Sequence, residues 1–579
     1  MLGRIVIAVL LGIILGVPFA LTIGRDRETA PADAQRLIVI SPHVPQIRAE
    51  FGRAFSEWHL REHGTPAVVD FRTPGGTSEI RKQLEAMFSS AVKNLVERGL
   101  LDPNIPDDAL LPPGSVEYDI FFGGGSFDHG QTANPMSIAV RTPDGQNAVV
   151  RIRQSAPAGF TQAELDAIFG ENRIGPQKLY DPDQRWIGTA LSSFGIVFNR
   201  EVLARLGLPE PAGFHSLTDP RLIGWVALAD PRQSGSVTTT FDSILGNQGW
   251  EEGWRTLRGM CGTTRYFTNS STKPPIDVSM GEAAAGLAID FYGRGQAQVI
   301  AETGGGDRVG YTDPAGAVYV DADPVSLLNG GPNPELGKRF IRFCLTDEAQ
   351  ALWQFRANDP TNPSGPSGEP MGPREHELRR MPVRRAMFER YFEHFIDQVN
   401  PFEIVSDVEN PGWRTGVQVM MGAFGVDLAD ECRAAYAALD RARRSADFTP
   451  AEIAELEARF YAFPRTRIES LTALADAADA SDRARALIAE QGWRWASEVL
   501  AWSPPTPPTD PPADPEEAAA IAEVRALADF EVRLPFTEPT YNAVRNEWRQ
   551  PGREARLRIE YTKFFRDNYR LIVDTVDGR

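Results

Sequence analysis

The chain has 579 residues, 42% of them hydrophobic and 24% charged, with a formal net charge of −18. That length allows two or more domains, each with its own core, and the negative balance argues against a general nucleic-acid binder, whose phosphate contacts need a basic surface. The three cysteines, Cys261, Cys344 and Cys432, are too widely spaced for a C-x-x-C site and argue against a disulfide framework, leaving a single bridge open.

Residues 5–23 are almost wholly apolar, between Arg4 and the charged run Arg25-Asp26-Arg27-Glu28. A stretch of that length at 1.5 Å rise per residue spans roughly the ~30 Å hydrocarbon core. Residues 1–36 therefore read as an export signal or membrane anchor with a spacer. Ala32-Asp33-Ala34 resembles a cleavage site but lies far past the apolar run, which favours retention as an anchor. No cysteine follows the apolar run, which excludes a lipoprotein anchor. Arginine flanks it on both sides, so charge does not set its orientation. Either way, the body is expected outside the inner membrane.

A strand is expected over 37–40, ending in Ser41-Pro42-His43, then a helix through Ile47, Phe51, Phe55 and Trp58. A second strand over 67–71 ends in Gly75-Gly76-Thr77, before a helix bearing Ile80, Leu84, Met87 and Phe88. A third, over 118–122, ends in Gly123-Gly124-Gly125-Ser126. Strand, small polar loop and helix, repeated, predict an α/β architecture with a largely parallel sheet. Open sheets of this type bind ligands at the carboxyl ends of their strands. Candidate ligand contacts there are Ser41, His43, Gly75, Gly76, Thr77, Gly124 and Gly125, although each glycine could simply serve a turn. Residues 131–182 are rich in Pro and Gly, with a strand expected over 147–152 and a helix over 162–169.

The stretch WIGTALSSFGIVFN, 186–199, leads out of the first sheet into an amphipathic helix over 201–208. Residues 225–245 then read as strand, turn and helix: a strand over 225–229, Asp230-Pro231, and Ser234, Gly235 and Ser236 ahead of Phe241, Ile244 and Leu245. Unpaired N–H groups and the positive end of the helix dipole would meet there. Such a place suits a bound anion or ligand oxygen, or is an ordinary serine cap. Further helices are expected over 250–260 and 281–285, and a strand over 288–293 ending near Asp290 and Tyr292. Past these, 334–355 reads as a helix interrupted near Thr346-Asp347, 358–372 as a loop and 381–395 as another helix. Residues 400–413 are irregular and 417–424 apolar.

The blocks LIVISPH, TPGGTSEI, DIFFGGGSFDHG, LSSFGIVFNREVLARLGLPEP, ALADPRQSGSVTTTF, NPELGKRFIRFCLTDEAQALW and RRMPVRRAMFERYFEHF resemble extracellular solute-binding proteins of ABC transporters. The nearest branch is the iron(III), phosphonate and polyamine-like one, over roughly 37–430. The resemblance implies a type II periplasmic-binding fold: two α/β lobes around a cleft, with lobe 1 over 37–195, lobe 2 over 196–316, and 317–429 returning to lobe 1. It implies crossing strands over 191–199 and 317–324, with Ser193 on the first. It also implies hinged closure on a small ligand or ion, recognition by an ABC permease, an extracytoplasmic location and no enzymatic activity or cofactor. In iron-binding relatives two adjacent tyrosines ligate the metal; here Phe291-Tyr292 removes one expected ligand. Tyr292 could then donate a hydrogen bond to an organic ligand. Asp290 would suit a cation or form an internal salt bridge.

From about Leu428 the resemblance ends. The 430–579 region reads as an α-helical extension, with helices over 430–444, 450–460, 467–491, 518–530 and 554–571 and an extended Pro-rich linker over 503–515. Packing on the binding body, contact with a membrane partner and oligomerisation all stay open for it. Two rival functions remain. His59-Leu60-Arg61-Glu62-His63 matches the H-x-x-E-H zinc-hydrolase pattern, without an evident third ligand. A sensor or scaffold ectodomain on the same fold is the other. P-loop, G-x-S-x-G and G-x-G-x-x-G motifs are absent from the sequence.

Overall fold

A computed structural model describes residues 33–314, 317–409, 411–467 and 533–579. The apolar segment 5–23, nearly all of the helix expected over 467–491, the linker 503–515 and the helix over 518–530 lie outside the described residues. Among the described residues no helix is long and apolar enough to cross a membrane.

The backbone of the molecule is one continuous sheet. Its order runs Ala67–Arg72, Gln35–Ile40, Ile120–Phe122, Val320–Leu328, Ile187–Asn199, Ala285–Ile289, Val226–Ala229, Thr264–Thr268. The first three are parallel and form lobe 1; the last three are parallel and form lobe 2. Between them, Ile187–Asn199 and Val320–Leu328 run antiparallel. Every residue of both strands is buried. Burial on both faces explains why IGTALSSFGIVFN lacks a polar–apolar alternation. The fold is thus the type II arrangement of two α/β lobes joined by two crossing strands. The crossings sit slightly off their expected spans, and the second carries a register shift at Asp323/Pro324. Pro324 has no N–H to give the ladder, so the strand bulges there.

Several local expectations need correction. The strand expected over 288–293 is Ala285–Ile289, and Asp290 instead opens the helix Asp290–Ile300; Ala285 accordingly belongs to a strand, not to a small-residue helix. The helix expected over 250–260 is the far half of Gly235–Thr263, kinked where Gly249 has φ 76°. The helix expected over 381–395 is broken. Met381–Pro382 pairs with the crossing strand at Leu191 and Ala190, and the helix starts at Arg385. Proline disfavours a helical residue before it and removes a donor. Pro135–Arg141, unforeseen, forms a hairpin with Asn147–Arg153. The interruption near Thr346 is real: its hydroxyl accepts from the Ala349 N–H and starts a new helix, Asp347–Gln354.

The C-terminal helices Ala429–Arg444, Pro450–Tyr461, Tyr541–Trp548 and Arg553–Asp577 share one apolar core with lobe 2. Arg258, on the long lobe 2 helix, is 1% exposed. It donates to the Phe460 carbonyl at 2.8 Å and reaches the Tyr569 hydroxyl at 3.4 Å. Its guanidinium lies 3.9 Å from the Phe424 ring centre and 4.5 Å from that of Phe565. One buried cation therefore ties four separate stretches together through carbonyls and ring faces.

Candidate functional site

Four helices begin where strands end at the lobe boundary: Thr77–Glu97 and Ser126–Ala133 in lobe 1, Gly235–Thr263 and Asp290–Ile300 in lobe 2. A narrow cleft lies between them. Lobe 1 lines it with Gly124, Gly125, Phe127 and Asp128, lobe 2 with Gly235, Thr239 and Ile289. The crossing strands add Ser192, Phe194, Asp321 and Asp323, and two arginines, Arg380 and Arg414, complete it. Roomier grooves lie beside Trp58 on lobe 1 and between Leu222 and Tyr461. Neither sits at the carboxyl ends of the strands, where open sheets take ligands.

The lobes touch across this cleft. A Cβ on Gly235 would lie 3.1 Å from Asp128 Oδ2, so a larger residue at this helix start would push on the carboxylate of the opposite lobe. Gly76 also faces the opposite lobe, where a Cβ would lie 3.8 Å from the Gln233 carbonyl oxygen, an ordinary contact, with Gly75 and Thr77 beside it on that turn. Ser234 acts as the helix cap, its hydroxyl accepting from the Val237 N–H at 3.4 Å. Ser236 is the second residue of that helix.

Most other expected contacts are occupied inside the protein; His43 is the exception, since its ring nitrogens are buried without a hydrogen-bond partner among the described residues. The Ser41 hydroxyl accepts from the His43 N–H at 3.1 Å. His43 is buried behind the lining, its Nε2 3.5 Å from Asp323 Oδ2. Burial, then the charges of Arg380 and Arg48, hold its pKa well below the usual range, so it is neutral. The Ser193 hydroxyl donates to Asp313 Oδ1 at 2.9 Å. Asp290 accepts from the Phe291 N–H at 2.8 Å and lies 3.6 Å from Arg294. Burial nevertheless pushes its pKa up to about 6. It is thus the internal salt bridge of the two readings. Tyr292 packs on Phe291 with ring centres 4.0 Å apart, and burial raises its phenol although Arg380 pulls the other way.

The charged groups of the cleft are mostly ones that sequence reasoning missed. Arg380 is buried, donates to Ser192 Oγ at 3.1 Å, pairs with Asp323 and lies 4.0 Å from the Phe291 ring centre. Burial lowers its pKa to about 10, which still leaves it charged at neutral pH. Asp321 accepts from the Ser126 N–H at 3.1 Å, at a helix start; burial pushes it up to about 6. Asp128 is also raised by burial, against the pull of Arg414 and Arg81. The available signals were faint: Asp321 and Asp323 interrupt an apolar crossing strand, and Arg380 sits in the run RRMPVRR.

The zinc-hydrolase reading fails on geometry. His59 Nδ1 lies 2.8 Å from the Thr65 carbonyl and its Nε2 3.1 Å from Arg339 Nη1. Both nitrogens serve the fold, and among the described residues no group of three His, Cys, Asp or Glu could hold a metal. The three cysteines are free and buried.

A family model described as bacterial extracellular solute-binding protein matches residues 156–378. Over those residues the chain is similar to the bacterial extracellular solute-binding proteins. An uncharacterized protein of Haemophilus influenzae is 30% identical over 162 residues, 28% of this chain and 44% of its own. The phosphoglycerate transport regulatory protein PgtC of Salmonella typhimurium is 30% identical over 106 residues, 18% of this chain and 27% of its own. The chain spans less than half the length of these curated relatives. Among solved structures, the periplasmic binding protein AfuA of Actinobacillus pleuropneumoniae, with fructose-6-phosphate bound, is 18% identical. It matches with a TM-score of 0.40, over 55% of this chain and 81% of that one. The substrate binding protein of an ABC transporter from Agrobacterium tumefaciens is 14% identical with a TM-score of 0.45, over 69% and 95% of the two chains.

Proposed function

We propose that this protein binds a small anionic solute in the interlobe cleft, outside the inner membrane, and delivers it to the permease of an ABC importer. The observation that carries the anion is Arg380. Its guanidinium is buried at the cleft, its Nε has no acceptor among the described residues, and helix starts from both lobes surround the same space. A solute bearing phosphoryl or carboxylate oxygens answers both features. The phosphoglycerate in the name of PgtC agrees with this class.

Iron(III) and polyamines fit less well. Phe291 stands where a second phenolate would be needed, and Tyr292 is pushed away from its ionised form. The acids in and beside the cleft each have a cationic or N–H neighbour: Asp128 has Arg81, Asp323 has Arg380, Asp290 has Arg294, and Asp321 has the Ser126 N–H, although Asp321 Oδ1 and Asp323 Oδ1 have no hydrogen-bond partner among the described residues. A polyamine would have to compete with Arg380 and Arg414 for these carboxylates.

A thermal-shift and calorimetric panel of phosphoglycerate, inorganic phosphate, a phosphonate, iron(III) and spermidine tests the reading. A phosphorylated or carboxylated anion is expected to raise Tm in proportion to the logarithm of its concentration, by about 2.7 kcal/mol of stability at a hundred times Kd. Arg380→Gln is expected to abolish the shift. Binding of iron(III) or spermidine alone would overturn the anion.

A further inference from the structure

Arg414 reaches the cleft from near the end of the 317–429 stretch; that stretch is expected to return to lobe 1, but its residues 417–424 pack in the lobe 2 core. It opens the short helix Arg414–Gly416, which runs directly into Val417–Val426 and the C-terminal helices. Its Nη2 donates to the Gly235 carbonyl at 3.1 Å and its Nη1 to the Thr239 hydroxyl, both on the lobe 2 helix. The same guanidinium covers the Phe127 ring of lobe 1, 4.3 Å from its centre. One planar cation thus holds both walls of the cleft. Its Nε is buried and without an acceptor among the described residues.

The residues around Arg414 are fixed by chain that arrives much later. The Gly416 N–H donates to the Tyr541 hydroxyl at 3.2 Å. A Cβ on Gly416 would lie 2.9 Å from Tyr541 Cε2, so the ring can sit this close only against a glycine. On the other side, the Trp413 N–H donates to Asp242 Oδ1 at 2.8 Å, and the Trp413 ring meets Trp250 edge-on at 4.8 Å. Trp250 in turn touches Tyr541 at 5.8 Å and Phe536 at 4.8 Å.

We infer that Arg414 binds the solute and clamps the lobes together, and that Tyr541 of the C-terminal region is the positioning residue that aims it. This rests on the anion reading for the solute, but the clamp does not. The C-terminal helices then belong to the binding apparatus: they hold a cleft arginine in register from behind lobe 2. The clamp has a simple physical logic. A cation held by a lobe 2 carbonyl and a lobe 1 ring face favours closure, and an anion between the walls gains a second guanidinium beside Arg380.

The test uses the full chain, with phosphoglycerate and inorganic phosphate as probes in calorimetry and small-angle X-ray scattering without ligand. Arg414→Gln is expected to weaken the tighter probe at least tenfold and to increase the ligand-free radius of gyration by opening the lobes. Arg414→Lys should recover part of the affinity and little of the closure, since an ammonium lacks the planar face. Tyr541→Phe keeps the ring and loses only the hydroxyl. It should weaken binding a few-fold in the wild-type background and add nothing in Arg414→Gln, a coupling that a purely structural role would not produce. Wild-type affinity in Arg414→Gln overturns the inference. If no anion binds the wild-type protein, the anion reading falls, and scattering decides the clamp: a profile unchanged by Arg414→Gln overturns it, a more open one supports it.

Discussion

The two lobes solve the same packing problem differently. Lobe 1 closes over its own sheet: Phe51, Phe55 and Trp353 on one face and Leu84, Phe88 and Phe121 on the other complete separate cores from residues of the two-lobe body. Lobe 2 does not. Its core runs from Ile196 and Phe241 through Trp254 into Phe424, Tyr436, Phe460, Phe565 and Tyr569. More than a third of that core is supplied by the C-terminal helices. The difference teaches that a strand-and-helix pattern can specify a lobe's sheet without closing its core, and that the missing layer then arrives from distant chain.

The largest expected effect breaks that contrast at its most connected point. Arg258→Ala removes a buried cation from three aromatic faces and leaves the Phe460 carbonyl without its donor. Cavity and unpaired carbonyl together are expected to cost about 3–5 kcal/mol. Hydrogen exchange should show the loss in lobe 2 and the C-terminal helices together, as one cooperative unit. Phe51→Ala in lobe 1 should cost a similar ~3–5 kcal/mol and leave the exchange of Arg553–Asp577 unchanged. Loss of protection in lobe 2 with the C-terminal helices still protected would show two independent units.

A smaller effect sharpens the boundary between the lobes. Asp321 lies on the second crossing strand, and burial pushes its pKa up to about 6. In the unfolded chain an aspartate titrates near ~3.9. Between those values the folded protein binds more protons than the unfolded one, so this group makes stability fall as pH rises from about 4 to about 6, then level off. Asp321→Asn keeps an oxygen for the Ser126 N–H and carries no charge. Relative to wild type it should gain about 1–3 kcal/mol across that window, read as urea midpoints against pH. Asp290, also pushed up to about 6, leaves a residual slope of the same sign. A variant that tracks the wild type at every pH would mean that the crossing-strand carboxyl is not strained by burial.

How much of this was legible in the chain depends on how local each signal was. The first crossing strand left a trace in the chain as a run without polar–apolar alternation, whereas the second, which carries Asp321 and Asp323, came only from the family resemblance. The turns at Gly76 and Ser234 were legible too, since each sits one residue ahead of an amphipathic helix, and the glycine run through Gly125 reads as a strand end with no helix placed after it. What the same residues do was less legible: the Ser234 hydroxyl caps its helix and Ser193 serves Asp313. Arg380 and Arg414 were hidden for a different reason. Each comes from a stretch without strong periodicity, and only tertiary packing brings it to the cleft. The shared core of lobe 2 was hidden likewise. Tyr436, Phe460 and Tyr569 read as the apolar stripes of amphipathic helices, and a stripe does not name the surface that covers it.

The smallest expected effect concerns the motif that pointed furthest from this fold. His59 and His63 stand one turn apart at the end of the first lobe 1 helix, with ring centres 4.8 Å apart. His59 is buried and held by Thr65 and Arg339, whereas His63 is exposed and its pKa is lowered by partial desolvation and by Arg339. A zinc site would make the two equivalent, and losing either would release metal. The structural reading makes them unequal. His63→Ala should change stability by no more than about 0.5 kcal/mol, while His59→Ala, which empties a buried site and removes the partner of Arg339 and of the Thr65 carbonyl, should cost about 1–3 kcal/mol. Zinc content by atomic absorption is expected to be the same in both variants and in the wild type. Stoichiometric zinc that disappears with His63→Ala would restore the hydrolase reading and place it in the lobe that otherwise completes its own core.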